Sequence, residues 1–517
     1  MTDTSLRMGG AAAARGWRKP RTRPAAAPPA GTTAPRTDRR GTAASMAWTV
    51  LESGGMTAVS LVTLVVFAHQ LAPAELGSAA LAFSLVSLLT LPVEMLFQDA
   101  LVQRRDAGTR HFDTAFTVSL GLGVGLCALC WLCADLVGAA VGDPQAAAAL
   151  GWMSLSLPAS GLAGALIARN RREFRFRDLA VCSFAGRFVG GATAVAIALF
   201  GGGMWAPVAQ QVLAVALPAV LLWAATPERP RFGFGRQEFR DLFGYGLSAL
   251  GTNAVIMVMP RLFMLQVGVV LGTHAAGYFN LAFRAVDVLR DVATTAIWRV
   301  VFPLFSRLGE APRVLRRAFA GAAETTCAIG FPIFAGLAAV APEVVAVVFG
   351  PKWLEATPVV VALCGVAMIH LVRLYAWAAV SALGRPLYPL PGQFVEAAVV
   401  LAWPLLGAAS AGVAAAAWVL RSLLAWPVDA WMLRRASGLG IKTQNRGLPS
   451  IALVAGAMAG AVVALGAMLP ASLPGPVRLA VLVAFGAAVY AALLALARRD
   501  VARRLVSMVG SVVFRGR

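Results

Sequence analysis

Seven arginines lie inside stretches that are otherwise apolar, where a charge needs a structural or functional reason. They are Arg187, Arg261, Arg284, Arg290, Arg299, Arg373 and Arg421. A charged side chain at the centre of a membrane helix costs about 2.5–3.5 kcal/mol on insertion scales. The forked guanidinium is a strong hydrogen-bond donor to phosphate and carboxylate groups. The pattern therefore predicts either buried ion pairs or a site for an anionic ligand.

Residues 278–302 place their polar side chains on one face of a predicted helix. With about 3.6 residues per turn, that face carries Asn280, Arg284, Asp287, Asp291, Thr294, Thr295 and Trp298. A helix with one polar and one apolar face inside a membrane is typical of a cavity wall. Two alternatives stay open. Arg284 and Arg290 could simply pair with Asp287, three residues away, or the helix could lie flat at the membrane surface.

The preceding apolar stretch adds two residues to this candidate substrate site. Arg261 follows Pro260 and has no acidic residue near it in the sequence, and Asn253 lies two turns earlier. The sequence therefore predicts a polar cavity lined by Arg261, Arg284, Arg290, Asn253, Asn280, Asp287 and Asp291.

Carboxylates inside spans are candidates for coupling transport to an ion, because a buried carboxylate can carry a proton or bind Na⁺. Glu52 and Glu396 have no arginine close in sequence that would neutralise them, so they are the predicted coupling residues. The alternative is that each pairs with an arginine of another helix, such as Arg187, Arg373 or Arg421.

The residue patterns do not indicate an enzyme or a bound cofactor. The chain lacks the G-x-x-x-x-G-K-[ST] loop of ATPases. Cys127, Cys130 and Cys133 repeat every three residues, but no histidine accompanies them, so a metal site is not expected. All six cysteines fall in apolar segments, which argues against disulfides.

The elements that would position these residues are membrane-spanning helices. Of 517 residues, 59% are hydrophobic and 13% are charged, and the mean hydropathy is +0.74. These values predict an all-α polytopic membrane protein and exclude a soluble enzyme or a disordered chain. Fourteen stretches have the length and composition of a span: 45–67, 76–97, 112–137, 146–168, 179–200, 204–223, 242–270, 278–302, 320–340, 359–383, 387–406, 411–433, 450–468 and 477–497.

The distribution of basic residues predicts the orientation of these spans. The net charge is +21, and with the N-terminus inside, the inner loops and tails hold 36 Lys and Arg. The outer loops hold only Lys352 and Arg478. The positive-inside rule therefore predicts that both termini are cytoplasmic. Because the cations lie between spans, a nucleic-acid partner is not expected.

An internal repeat predicts two lobes. Leu71–Leu89 and Leu271–Leu289, offset by 200 residues, are identical at seven of nineteen positions, including Gly77 and Gly277. Parallel repeats of this kind are a transporter architecture. The predicted organisation is a disordered basic tail (1–44), a lobe of spans 1–6 (45–228), a lobe of spans 7–12 (229–436), two extra spans (449–497) and a second basic tail (498–517).

Several motifs in order carry a family resemblance. Leu71–Gly77 looks like an L-x-P-x-E-x-G turn, and Gly203–Gln211 is similar to a G-x-W-A-L-V-x-Q segment. The basic stretch Arg169–Leu179, Phe243–Gly246 and Phe302–Leu308 also match. With these motifs the chain resembles the polysaccharide transporter family, the Wzx-type lipid-linked oligosaccharide flippases of the MATE-like (MOP) superfamily. Glu94 departs from the pattern, because the family usually has a small residue there.

The resemblance implies a flippase that moves an undecaprenyl-pyrophosphate-linked oligosaccharide across a bacterial cytoplasmic membrane, for surface or exopolysaccharide synthesis. The implied partners are this substrate, membrane lipids, and a polysaccharide polymerase or glycosyltransferases, with H⁺ or Na⁺ as the coupling ion. The alternatives are a cation-coupled MATE-type drug exporter, a lipid II flippase, and a membrane scaffold for assembly enzymes. The arginines favour an anionic substrate, and a scaffold has no use for a polar helix face.

Overall fold

The computed structural model describes residues 39–104, 106–308, 312–383, 388–406, 410–470 and 472–514. Within these ranges, side chains are described outside residues 39–54, 248–249, 252–256, 292–293, 295–318, 320, 506 and 508–514. The side chains of Asn253 and Glu52 therefore lie outside the described residues.

The described chain is helical and contains no β-strand. Its seventeen α-helices are α1 (Arg39–Gln70), α2 (Pro73–Gln103), α3 (Thr109–Val141), α4 (Pro144–Met153), α5 (Ser156–Arg172), α6 (Phe176–Leu199), α7 (Trp205–Ala225), α8 (Arg236–Leu308), α9 (Pro312–Ala339), α10 (Ala341–Val344), α11 (Thr357–Ala382), α12 (Leu390–Ala402), α13 (Ala411–Ser437), α14 (Ile441–Gln444), α15 (Leu448–Met468), α16 (Gly475–Ala497) and α17 (Arg499–Phe514). A π-helical turn (Val345–Phe349) and two 3₁₀ turns (Pro351–Ala356 and Trp403–Leu406) complete it.

Gly272 interrupts the long helix α8. Its φ of 85° and ψ of 172° are not helical, and glycine reaches this backbone conformation without a steric penalty. We therefore divide α8 into α8a (residues 236–271) and α8b (residues 273–308). These segments correspond to the predicted spans 242–270 and 278–302, with the glycine in the short loop that was expected between them.

Eleven stretches of the described residues are long and apolar enough to cross a membrane. Two shorter apolar helices, Gly55–Gln70 and Leu390–Leu405, accompany them, and one of the eleven stretches, Met257–Asp291, contains Gly272. The prediction of an all-α polytopic membrane protein is confirmed. The number of fourteen spans stays a prediction.

Helices from both parts of the chain share one hydrophobic core. Phe67 of α1 packs in the same cluster as Phe263 and Phe279 of α8, Phe334 of α9 and Tyr375 of α11. The described residues from Glu52 onward form one compact unit, which is not divided near residue 228. The division into two lobes at residue 228 therefore stays a prediction.

The two ends of the chain differ in detail from the predicted tails. Helix α1 includes Arg39, the first described residue and six residues before the predicted span, and arginine and alanine are good helix formers. Residues 1–38 of the predicted tail lie outside the described residues. The predicted tail 498–517 contains helix α17, which docks on the bundle. Arg504 lies 2.9 Å from the Glu324 carboxylate of α9, and Arg498 pairs with the same carboxylate. These ion pairs, with the fully buried Val501, explain why this basic segment is ordered.

The repeat-related helices α2 and α8b cross where their sequences match. A Cβ atom at Gly77 would collide with the carbonyl oxygen of Thr273, and one at Gly277 would collide with that of Pro73. Only glycine allows two backbones to approach this closely. We call the end of the bundle with Leu71 and Gly272 the outer end, following the charge-based prediction, and the opposite end the inner end.

At the inner end, side chains join α2 to α8a. Arg104 Nη2 lies 3.0 Å from Asp241 Oδ2, and Arg104 Nε lies 3.1 Å from Asp106 Oδ1. The Arg104 guanidinium, which donates a hydrogen bond to the Asp106 carboxylate, holds the pKa of Asp106 below its usual range. Helix α2 is thus attached to α8 at both of its ends, and the space between the two attachments is the cavity described next.

Candidate substrate cavity

A cavity of about 670 Å³ lies between helices α1, α2 and α5–α8. Its polar lining residues are Ser60, Thr63, Ser87, Thr90, Glu94, Ser160, Arg187, Gln210, Gln211, Arg261, Asn280, Arg284, Asp287 and Asp291. Helix α8 supplies one wall of the cavity and the helices before residue 226 supply the others. The cavity is therefore built from both sides of the predicted division of the chain.

Five of the seven predicted substrate residues line this cavity. They are Arg261, Asn280, Arg284, Asp287 and Asp291. Arg290 does not line it: its guanidinium lies 2.9 Å from Asp287 Oδ1 and 3.7 Å from Asp291 Oδ1. The structure thus separates Arg290 from the two arginines with which it was grouped.

The helical spacing of α8b explains this arrangement. Asn280, Arg284, Asp287 and Asp291 follow at intervals of four, three and four residues, which keeps them on one face. On the opposite face, Leu281, Ala282 and Val286 are buried in the hydrophobic core. Because α8b is packed inside the bundle, it does not lie flat at a membrane surface.

Three arginines face the cavity without a carboxylate partner. Among the described residues, no carboxylate lies within ion-pair distance of Arg187, Arg261 or Arg284. The guanidinium carbon of Arg261 lies 4.7 Å from the centroid of the Phe83 ring, a cation–π contact. Neutralisation by Asp287 therefore explains Arg290 and leaves the charge of Arg284 available to a ligand.

The helices before residue 226 supply hydroxyl and amide groups to the cavity, together with the charged residues Arg187 and Glu94. Gln210 Nε2 lies 3.5 Å from Thr63 Oγ1, and Ser160 Oγ donates to Glu94 Oε1 at 2.9 Å. Across the cavity, the side-chain oxygen of the buried Asn280 accepts no hydrogen bond from any described group. A buried acceptor without a donor is rare in proteins and marks a place where a water or ligand hydroxyl fits.

Nine of the fourteen polar lining residues were missed as site residues in the sequence, and five of these carry hydroxyl groups. The other four are Arg187, Glu94, Gln210 and Gln211. Each of these four residues nevertheless belongs to a sequence pattern described above. Arg187 is one of the intramembrane arginines, Glu94 is the departure from the family pattern, and the two glutamines end the family-like segment Gly203–Gln211.

A second cluster of charges lies in α11–α13, and none of its members lines the cavity. Arg373 Nε donates to Asp429 Oδ2 at 2.7 Å, and Trp377 Nε1 donates to the same oxygen at 3.1 Å. Arg373 and Arg421 both pair with Glu396. We call Arg373, Glu396, Arg421 and Asp429 the ion cluster. Glu396 is thus in the arrangement that was the alternative to ion coupling, and its coupling role stays a prediction.

The cysteines of α3 do not form a metal site with other residues. Cys127 and Cys130 are buried, and Cys133 is half-buried. Among the described residues, no group of three His, Cys, Asp or Glu side chains is placed to hold a metal ion. Coupling of transport to an ion is not tested by this observation.

Comparison with known proteins places the chain in a family. A family model described as "Polysaccharide biosynthesis protein" matches residues 66–358, more than half of the chain and all of the cavity-lining part of α8. The chain belongs to this family. The predicted polysaccharide transporter family is thereby confirmed.

Curated relatives of this family member carry names from three polysaccharide systems. The chain is 26% identical over 315 residues to the succinoglycan biosynthesis transport protein ExoT of Rhizobium meliloti, covering 61% of this chain and 64% of ExoT. It is 23% identical over 458 residues to the teichuronic acid biosynthesis protein TuaB of Bacillus subtilis, covering 86% and 94%. It is 23% identical over 346 residues to the lipopolysaccharide biosynthesis protein WzxC of Escherichia coli, covering 64% and 68%.

Two solved structures share the fold of this family member. The lipid II flippase MurJ, in an inward closed conformation, matches with a TM-score of 0.72 and 14% identity over 88% of this chain and 99% of MurJ. A multidrug resistance MATE transporter of the MOP superfamily, in an inward-facing conformation, matches with a TM-score of 0.53 and 14% identity over 74% and 95%. The predicted MATE-like fold is confirmed, and at these identities the likeness concerns the fold alone.

Proposed function

We propose that this protein is a flippase that moves an undecaprenyl-pyrophosphate-linked oligosaccharide across the bacterial cytoplasmic membrane for surface or exopolysaccharide synthesis. The observation that supports it best is the cavity, whose lining combines three arginines without carboxylate partners with hydroxyl and amide groups. Of the three carboxylates in the lining, Asp287 and Asp291 are paired with Arg290, and Glu94 accepts a hydrogen bond from Ser160. A diphosphate suits forked guanidinium donors, and sugar hydroxyls suit amide and hydroxyl partners. The volume of about 670 Å³ lies in the range of small-molecule sites, so it suits a short oligosaccharide and not a polymer.

In this proposal Arg261 and Arg284 bind the diphosphate, with Arg187 as a third donor. Asn280 and the glutamines of α7 meet the sugars, and the lipid tail stays in the bilayer. Arg290 holds Asp287 in place, which limits repulsion between that carboxylate and the diphosphate. No bond is made or broken, so the protein needs no catalytic residue and no organic cofactor.

The proposed movement is alternating access of two lobes, residues 45–228 and 229–436, around the cavity. The repeat and the shared lining of the cavity support it. The uneven distribution of basic residues supports cytoplasmic termini. For coupling to H⁺ or Na⁺, Glu52 and Glu396 remain the candidates. Protonation of Glu396 would remove the anion that Arg373 and Arg421 share, a change large enough to alter the packing of α11–α13.

The alternatives fit the cavity less well. A MATE-type exporter of cationic drugs would bring a cation toward three unpaired arginines, while two of the three lining carboxylates, Asp287 and Asp291, are already paired with Arg290. A membrane scaffold that recruits assembly enzymes would not need a polar cavity inside the bundle. A lipid II flippase would use the same diphosphate contacts, so the sugar part of the substrate must distinguish it.

The test is transport by the purified protein in proteoliposomes, with and without a proton or Na⁺ gradient. The probe is a fluorescent undecaprenyl-pyrophosphate-linked oligosaccharide, compared with lipid II and with a cationic dye. We expect movement of the first probe, loss of it in Arg261→Ala and Arg284→Ala, and partial retention in Arg284→Lys. Arg177→Gln, in a predicted inner loop, is the matched control. Wild-type rates in both alanine variants would overturn the diphosphate site. Export of the dye without movement of the lipid would overturn the proposal.

A further inference from the structure

The outer end of the bundle contains a set of contacts between α1 and the 3₁₀ turn Pro351–Ala356. Helix α1 ends at Gln70, and the last carbonyl groups of a helix have no partner within it. Lys352 Nζ donates to the carbonyl oxygens of His69 at 2.9 Å and of Leu71 at 2.8 Å. Trp353 Nε1 donates to the carbonyl oxygen of Ala68 at 2.7 Å. Two consecutive side chains thus bind three carbonyls at the end of one helix.

These bonds are favourable for electrostatic reasons. The carbonyl end of a helix carries a partial negative charge, so an ammonium group is stabilised there. Hydrogen bonds from a charged donor are stronger than those between neutral groups. Trp353 is completely buried, and its ring meets that of Tyr278 of α8b edge-on at 5.9 Å. Both residues therefore fasten the end of α1 to the 3₁₀ turn, and the ring of Trp353 connects this turn to the start of α8b.

The glycine crossing of α2 and α8b lies beside this fastening. Gly77 and Gly277 bring the two backbones into contact, and the cavity-lining residues Leu76, Ala79 and Asn280 lie next to them on the same helices. The glycine contact and the bonds of Lys352 and Trp353 thus adjoin the outer end of the cavity.

We infer that Lys352 and Trp353 form an outer latch, which keeps the cavity closed to the outside and must release α1 before a substrate leaves in that direction. The latch rests on the alternating access of the proposed function. Opening the outer end requires α1 and α2 to separate from α8b. The glycine contact contains no side-chain bond, whereas Lys352 and Trp353 hydrogen-bond the end of α1, so their bonds add directional resistance to the hydrophobic packing between these helices.

Arg478, the second predicted outer cation, provides a matched comparison. Its Nη2 donates to the carbonyl oxygen of Gly466 at 2.6 Å, and its Nε lies 3.4 Å from Glu343 Oε1. It therefore caps a helix end as Lys352 does. Its partners lie on α15 and α10, away from α1 and α2, so it does not hold the cavity closed.

The test measures access to the cavity from outside. Ser87, which lines the cavity, is changed to cysteine, and sealed right-side-out membrane vesicles are treated with a membrane-impermeant maleimide. The chain without Ser87→Cys measures the background from the natural cysteines. We expect Lys352→Gln to raise the labelling rate of this cysteine about tenfold, because it loses a charged donor to two carbonyls. Trp353→Phe, which keeps a ring but loses the donor, should raise it less.

The controls separate the latch from general loosening. Lys352→Arg keeps charged donors and should label at the original rate, and so should Arg478→Gln. The inference is overturned if Lys352→Gln labels at the original rate, or if Arg478→Gln raises the rate equally. Labelling needs no lipid-linked substrate. If Lys352→Gln accelerates labelling in a protein that moves no oligosaccharide, the proposed substrate falls and the latch stands.

Discussion

Two regions of this membrane protein differ in whether their buried arginines are paired with carboxylates. In the ion cluster, Arg373 and Arg421 share Glu396, and Arg373 also binds Asp429, so two cations meet two anions. In the cavity, Arg187, Arg261 and Arg284 have no carboxylate partner among the described residues. The cost of placing arginine in a membrane is similar in both regions, so the partners indicate what each set does. The cluster joins α11, α12 and α13, and in the proposed function the cavity offers its charges to an anionic ligand.

The largest expected effect comes from breaking the ion cluster. Glu396→Gln keeps the shape of the side chain but leaves Arg373 and Arg421 without their shared anion. Removing one partner of a buried ion pair costs about 3–5 kcal/mol, so we expect a marked fall in thermal unfolding temperature in detergent. Unchanged stability together with loss of gradient-dependent transport would contradict this and would support the coupling role of Glu396.

For a cavity arginine we expect a large effect on ligand binding and no loss of thermal stability. Arg284→Gln should weaken binding of a polyprenyl-diphosphate probe about 10- to 150-fold, the value of a charged hydrogen bond. The unfolding temperature should stay the same or rise, because an uncompensated charge is removed from the bundle. Binding by fluorescence and unfolding by heat, measured on the same preparation, check both. A large fall in stability would mean that Arg284 has a structural partner.

Arg290 should behave as an intermediate case, since it lies next to the cavity but is paired. Arg290→Gln leaves Asp287 unpaired beside the proposed diphosphate, so binding should weaken. Asp287→Asn should restore much of it, with a coupling energy of about 0.5–3 kcal/mol in a double-mutant cycle. Additive effects of the two changes would show that Arg290 contacts the substrate directly, as the sequence pattern predicts.

The smallest effect is expected for the amide and hydroxyl groups that the helices before residue 226 contribute to the cavity. Gln210→Ala removes ordinary hydrogen bonds, worth about 0.5–1.5 kcal/mol, so binding of the sugar-bearing lipid should weaken about 2- to 13-fold. A polyprenyl diphosphate without sugars should bind as before. Equal weakening of the binding of both probes would contradict the assignment of Gln210 to the sugars.

Periodicity and hydropathy predicted the parts of this molecule that depend on one helix. The polar face of α8b follows from the spacing of Asn280, Arg284, Asp287 and Asp291, and the pairing of Arg290 with Asp287 was one of the alternatives. Contacts between helices could be given from the sequence only as open alternatives, without a way to choose among them. Glu396 meets Arg373 and Arg421, which are 23 and 25 residues away, and no spacing rule links them. Arg187 could not be assigned to the cavity, because its neighbours there come from other helices.

The backbone contact at Gly77 and Gly277 also bears on how a membrane voltage would act on this protein. Two close-packed backbones leave no water-filled path between them, so the voltage drop would concentrate across the closed segment and not along a wet cavity. Moving one elementary charge through a potential of 100 mV changes the energy by about 2.3 kcal/mol. For the proposed substrate, whose diphosphate is negative, an inside-negative potential would favour outward passage across the separated glycines and oppose the return.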